Sequence, residues 1–174
     1  MKIIKRELKY KGLIFKVWRE EYQEDPGLFL RDIVEFPETC AILPLLDGDT
    51  AILISQYRFP LRKEILEIPA GKIDPGESPE EAAQRELMEE VKMRAEKLSK
   101  IGTFYLTPGY STERIHIFWG ADLRSAELPA DAGEQIKTHR IPLNKLKEMM
   151  ITGEIEDAKT YIALLHYFNF IEKR

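Results

Sequence analysis

The sequence is poor in the features that mark several large protein classes. It has one cysteine, Cys40, so no internal disulfide can form, and the chain reads as suited to a reducing cytoplasm. On a short apolar segment, that cysteine is expected to be a small buried hydrophobe. Long apolar runs are missing. The longest, Cys40–Leu46 and Ala51–Ile54, fall far short of the roughly 18 residues a membrane-spanning helix needs. The opening MKIIKRELKYKG interrupts its apolar residues with Lys and Arg and lacks the apolar core of a signal peptide. Nor is there an excess of positive charge: 26 Lys and Arg face 30 Asp and Glu, for a net charge of −4, which argues against a general nucleic-acid binder. No partner of nucleic acid or membrane type is therefore expected.

What is present is a well-mixed globular composition, 44% hydrophobic and 32% charged over 174 residues, enough for one main domain and a small appendage. Alternating segments Ile3–Tyr10, Leu13–Tyr22 and Leu28–Phe36, the last two parted by Asp25-Pro26-Gly27, predict an antiparallel β-rich appendage. Three strands alone bury little and offer exposed edges, so the appendage is expected to meet a partner, as in a homodimer. Cys40–Leu46 and Thr50–Tyr57 around Asp47-Gly48-Asp49 predict a hairpin, and Glu64–Ile68 a further strand before a Pro69–Gly76 loop. Strands are expected again at Lys100–Leu106, Glu113–Leu123 and Ile136–Ile141, and helices at Leu143–Ile151 and Asp157–Ile171, parted at Gly153. The order gives an α+β sandwich with a mixed sheet.

The acidity is concentrated. Residues 74–90 hold seven carboxylates against Arg85 alone, a local charge of −6 that leaves the remainder of the chain at +2. Ser78-Pro79-Glu80-Glu81 starts a helix: a capping serine, proline at the first position, and a glutamate that can close the capping box. On that helix Glu86 and Glu90 stack on one face with Glu89 at its edge, beside an apolar stripe of Ala83, Leu87 and Val91. Like charges at i, i+4 cost about 0.2–0.5 kcal/mol per pair, and acid in the last turn opposes the helix dipole. A bound divalent cation reverses both signs, and Mg²⁺ suits all-oxygen ligands best. By charge alone the segment reads equally as a solvated face, with a Glu81–Arg85–Glu89 ladder and a Glu90–Arg94 pair.

The spacing breaks the tie. Gly71, five residues, Glu77, seven residues, then Arg85-Glu86-Leu87-Met88-Glu89-Glu90-Val91-Lys92-Met93 resembles the Nudix box, with Lys92 standing where that family has glycine. The resemblance implies a Nudix-type α/β/α sandwich with a mixed sheet over residues 39–174. Residues 1–38 are then a small antiparallel subdomain for dimerisation and substrate binding. It implies Glu86 and Glu90 as metal ligands, Glu89 as a third ligand or water activator, and the main-chain oxygen of Ala70 as another ligand. Arg85 is to orient the carboxylates, and Glu77 to brace the loop and approach a metal. The implied cofactor is Mg²⁺, with Mn²⁺ as a substitute.

Outside the box, three stretches are similar to the ADP-ribose pyrophosphatase branch: Ser55-Gln56-Tyr57-Arg58 with Leu66–Gly71, Thr107–Glu113 with Pro108 fifteen residues beyond the box, and GEIEDAKT at 153–160. That resemblance implies Arg58 as a phosphate ligand, with Arg31, Asp32, Asp74, Gly109 and Glu113 also at the substrate, and Glu134 on a loop as a general base. The activity it implies is Mg²⁺-dependent hydrolysis of a small-molecule nucleoside diphosphate sugar, ADP-ribose, to AMP and ribose 5-phosphate. The alternatives are GDP-mannose or broad-range pyrophosphate hydrolysis and, in another class, a non-catalytic nucleotide sensor. His116, His139 and His166 have no ligand spacing and are assigned to structure.

Overall fold

The computed structural model describes residues 1–129 and 135–172. The chain forms two compact units, Met1–Thr39 with Thr103–Ile115, and Cys40–Gly102 with His116–Arg174.

In the first unit, β1 (Lys2–Lys11), β2 (Lys16–Glu24) and β3 (Gly27–Glu35) form an antiparallel meander in that order. Its β2–β3 register, Glu24 opposite Gly27 through Lys16 opposite Glu35, closes a tight turn at Asp25-Pro26, as the turn signal anticipates. β1 is exposed along its whole length, and Ile3, Leu8, Leu13, Leu28 and Leu30 remain in solvent.

The second unit is built on β4 (Thr39–Leu46), β5 (Thr50–Arg58), β6 (Lys63–Glu67), β7 (Ala70–Lys72), helix α1 (Pro79–Glu90), β8 (Met93–Tyr105), β9 (Arg114–Ser125), β10 (Ile136–Pro142), α2 (Leu143–Thr152) and α3 (Ala158–His166). One π-helical turn, Tyr167–Ile171, extends α3. The sheet order is β10-β5-β4-β9-β8, with β6 on β5 and β7 on β4. This is the mixed-sheet α+β architecture expected from the element order. Successive side chains on a strand take opposite faces. Ile42, Ile52, Ile54 and Phe118 pack with Ala82, Ala83 and Leu87 of α1 in one core cluster. The alternate residues Leu43, Leu53 and Ile117 are equally buried, as are Leu146, Ala163 and Leu164 of the last two helices. Strands apolar on both faces require such cover. Among the described residues, no helix is long and apolar enough to cross a membrane.

Two elements exceed the sequence expectation. β8 begins at Met93, seven residues before the expected Lys100. Gln84 of α1 clips it there, donating to Ala95 O at 2.7 Å and accepting from Ala95 N at 3.1 Å, while Met93 and Leu98 pack on the core. The short strand β7 lies within the stretch read as a loop, a tertiary effect with no local pattern behind it. The end of α1 resolves the Lys92 question. Val91 caps the helix and Lys92 takes φ +62°, the left-handed conformation for which glycine is suited. That conformation costs a side-chain-bearing residue about 1 kcal/mol. Lys92 Nζ donates to Leu128 O at 2.6 Å and Lys92 O accepts from Ala126 N at 3.2 Å, contacts that offset part of it.

Candidate active site on helix α1

The helix starts as its sequence dictates. Ser78 Oγ accepts from Glu81 N, and Glu81 returns the bond to Ser78 N at 2.8 Å, with Pro79 in the first turn. This fixes where the following carboxylates point. Glu86 and Glu90 are buried, 9% and 7% exposed, deeper than the core–solvent boundary expected of them. Glu77, Arg85 and Glu89 are half-buried beside them.

Arg85 organises the group. Its Nε and Nη2 donate to the two oxygens of Glu77 at 2.9 and 3.0 Å. Its Nη1 donates to Glu86 at 2.7 Å and to Glu89 at 3.0 Å, and Nη2 also donates to Lys72 O at 2.8 Å. A guanidinium has five N–H groups, and these five acceptors use them all. Of the expected ladder only the Arg85–Glu89 rung forms, because Glu81 is taken by the cap. The bond to Glu77, against the opposing effect of burial, raises the guanidinium pKa. In return, Arg85 first and the Asp74 N–H after it hold the Glu77 carboxyl below its ordinary value.

Backbone completes the site. Glu90 accepts from Ala70 N at 3.1 Å, and Pro69 O accepts from Ile42 N at 3.0 Å, so β7 is tied both to α1 and to the sheet. Gly71 lies so close to Glu86 that an added Cβ would come within 1.9 Å of its Oε1. Glycine is therefore required there by a carboxylate and not by a turn. Cys40, below, is fully buried; burial first, and the Glu86 charge second, push its thiol up to about 12, so it stays a neutral hydrophobe.

Among the described residues, no three His, Cys, Asp or Glu groups already converge as a metal cage. The carboxylates are instead held by Arg85 and Ala70 N–H. The donor set nonetheless fits a hard divalent cation. It consists of carboxylate oxygens, two of them on buried residues of one helix face, with backbone rather than side chain pressed against Glu86.

A second cluster went unread in the sequence. Glu67 is fully buried and takes a fork from Arg58, Nε to Oε1 at 2.5 Å and Nη2 to Oε2 at 2.6 Å, while Lys159 of α3 donates to the same Oε2. Lys159 also donates to Asp157 at 3.0 Å, and Asp157 caps α3 through Thr160 N at 2.9 Å. Thr160 Oγ1 accepts from Ile68 N at 2.8 Å. The signal was there: Glu67 is the one charged residue in ILEIPAG, and a lysine sits at the start of an apolar helix. Both lie in stretches similar to the ADP-ribose pyrophosphatase branch, and neither has a local pattern that pairs it with the other. Burial pushes the Glu67 carboxyl up, but Arg58 and Lys159 outweigh it and hold it below its ordinary value.

The other expected site residues are placed as follows. Asp74 is exposed, its main chain bonded to Glu77 on both sides, Asp74 N to Glu77 Oε2 at 3.1 Å and Glu77 N to Asp74 O at 3.0 Å. In the first unit, Asp32 is held by Arg19 at 2.8 and 2.9 Å, and Arg31 stacks over Phe29. The Gly109 loop is strapped to β3, Val34 N donating to Tyr110 O at 2.7 Å and Thr112 N to Val34 O at 2.9 Å. Glu113 follows it, its N–H donating to Ser111 Oγ. Pro108, Ser111 and Thr112 line an open cavity of about 560 Å³ with Glu38, Tyr105 and Arg114. Glu134 lies outside the described residues.

Two outcomes follow from this geometry. Gly71→Ala should displace the Glu86 carboxylate and weaken divalent-cation binding at least about tenfold without unfolding the protein, as read by metal titration beside a thermal melt. Glu67, with its folded pKa depressed, contributes stability above the ordinary glutamate value of about 4.3, and this is lost as pH falls through the folded value. Melts across that range should show wild type losing stability more steeply than Glu67→Gln; parallel curves would contradict it.

The sequence and fold place the chain among known proteins. A NUDIX domain pattern matches residues 36–164. The chain is 35% identical to an ADP-ribose pyrophosphatase of Bacillus subtilis (strain 168), over 94% of this chain and 90% of that protein. It is 32% identical, over the same shares, to a methanol dehydrogenase activator of Bacillus methanolicus. A crystal structure of an ADP compounds hydrolase aligns with a TM-score of 0.87 at 28% identity, covering 99% of this chain and 94% of that one. With the Arg85-centred helix inside the matched span and the fold shared end to end, the chain belongs to the Nudix family.

Proposed function

We propose that this Nudix pyrophosphohydrolase cleaves the pyrophosphate bond of ADP-ribose, giving AMP and ribose 5-phosphate, with Mg²⁺ as cofactor and Mn²⁺ as substitute. The observation that carries the reading is the Arg85-organised set Glu86, Glu89 and Glu90 packed against Gly71. Two proteins similar to the chain, over most of its length, are named for ADP-ribose or ADP compounds.

Members of the family generally use divalent metal ions. In this reading Glu86, Glu90 and the Ala70 main-chain oxygen would hold the metal, with Glu89 as a third ligand or the water activator, and Glu77, paired with Arg85, bracing the loop and approaching a metal. The metal supplies charge neutralisation of the diphosphate and acidification of water. The chain's residues do the remainder. Water adds to one phosphorus as the bond to the bridging oxygen breaks, the second phosphate leaves with that oxygen, and a glutamate, Glu89 or Glu134, takes the proton. Arg58 binds a phosphate oxygen, and its Nη1 takes no part in the fork to Glu67. Arg85 has no N–H left for substrate and acts by holding Glu86 and Glu89. Arg31, Asp32, Asp74, Gly109 and Glu113 complete the substrate contacts.

The enzyme works in the cytoplasm as a homodimer through residues 1–38, supported by the unburied apolar side chains of the N-terminal sheet. With ADP-ribose and Mg²⁺, Glu90→Gln should lower AMP release by about 100-fold or more; equal turnover in both proteins would sink the assignment. GDP-mannose in the same assay should turn over more slowly, and a faster rate would move the substrate. Light scattering at micromolar concentration should give twice the 20.3 kDa chain mass, and a monomer would count against the dimer.

A further inference from the structure

The second buried cluster joins the site to the end of the chain. Lys159 is 8% exposed, and its ammonium is spent on Glu67 and Asp157, so it is enclosed rather than presented to a ligand. Glu67 is 0% exposed and shares one oxygen, Oε2, between Lys159 and Arg58. The plane of that carboxylate sets the plane of the Arg58 guanidinium, because a two-bond fork requires the two groups to be coplanar.

We propose that Lys159 is a positioning residue for the diphosphate subsite, acting through Glu67 on Arg58. The inference rests on the reading of Arg58 as a phosphate ligand. It assigns the last helix a part in substrate affinity, although Lys159 does not touch substrate. The first turn of α3 also holds the link between β6 and β7, through the Ile68 N–H to Thr160 Oγ1 bond, so one turn bears on both Arg58 and the approach to Glu90.

The test measures affinity for inorganic pyrophosphate by calorimetry, with and without Mg²⁺, in wild type, Lys159→Met, Lys159→Arg, Glu67→Gln and the Lys159→Met/Glu67→Gln pair. Adenosine serves as a ligand without phosphate. Loss of one charge-assisted hydrogen bond from a misaligned Arg58 corresponds to about a tenfold change. Lys159→Met should weaken pyrophosphate binding about tenfold and leave adenosine unchanged, and Lys159→Arg should restore it. In the Glu67→Gln background, adding Lys159→Met should change affinity less than about threefold, since the link is already cut. That pair removes the buried carboxylate with its cation and keeps the test open should Lys159→Met not fold. A lowered melting temperature with pyrophosphate affinity unchanged would make Lys159 a mere tie between helix and strand and overturn the proposal, as would a tenfold effect persisting in the Glu67→Gln background. If wild type fails to cleave ADP-ribose but the affinity pattern holds, the substrate reading falls and this inference stands. If cleavage is found without the pattern, the inference alone falls.

Discussion

The geometry of the site depends on one guanidinium. Arg85 satisfies five acceptors drawn from the helix, the loop before it and the main chain of β7. The carboxylates of Glu77, Glu86, Glu89 and Glu90 would otherwise repel one another, and burying them would be costly. A planar, permanently charged group with a fixed fork is suited to the task; a lysine, with three donors on a flexible stem, could not span Glu77, Glu86 and Glu89 together. The capped start of α1, the glycine at position 71 and the Ala70 N–H to Glu90 are the conditions that let this arrangement form inside a packed domain.

Much of this was legible in the residues themselves. Helix α1 announced itself through Ser78, Pro79 and Glu81, and its apolar stripe gave the docking face. The strands of the second unit read as apolar runs parted by turns, and the Asp47-Gly48-Asp49 hairpin sits where such a tripeptide belongs. Charge pattern alone could not decide between a metal site and a solvated face. The spacing from Gly71 to Glu90 tips the reading toward a metal site through its resemblance to the Nudix box, and the structure shows that glycine, glutamate and arginine meeting around the buried acids.

What stayed hidden was long-range. Nothing local marks Ala70–Lys72 as a strand, since its pairing partner lies in β4, and nothing local extends β8 back to Met93, since Gln84 supplies the reason from another element. Glu67, Arg58 and Lys159 are separated by up to 101 positions, and no local pattern links them. Only the fold brings them to one buried carboxylate, where Arg58 turns out to be a held residue as well as an expected ligand.

Lys92 carries a wider point. The family's pattern is written with a glycine there, yet this chain keeps the left-handed backbone at φ +62° with a lysine whose ammonium reaches the carbonyl of Leu128. In this chain that place keeps the angle without the glycine. A search that insists on the glycine would discard proteins whose helix ends in the same turn, and a designer free to vary the position could place a cation there and gain a hold on the segment that follows β9.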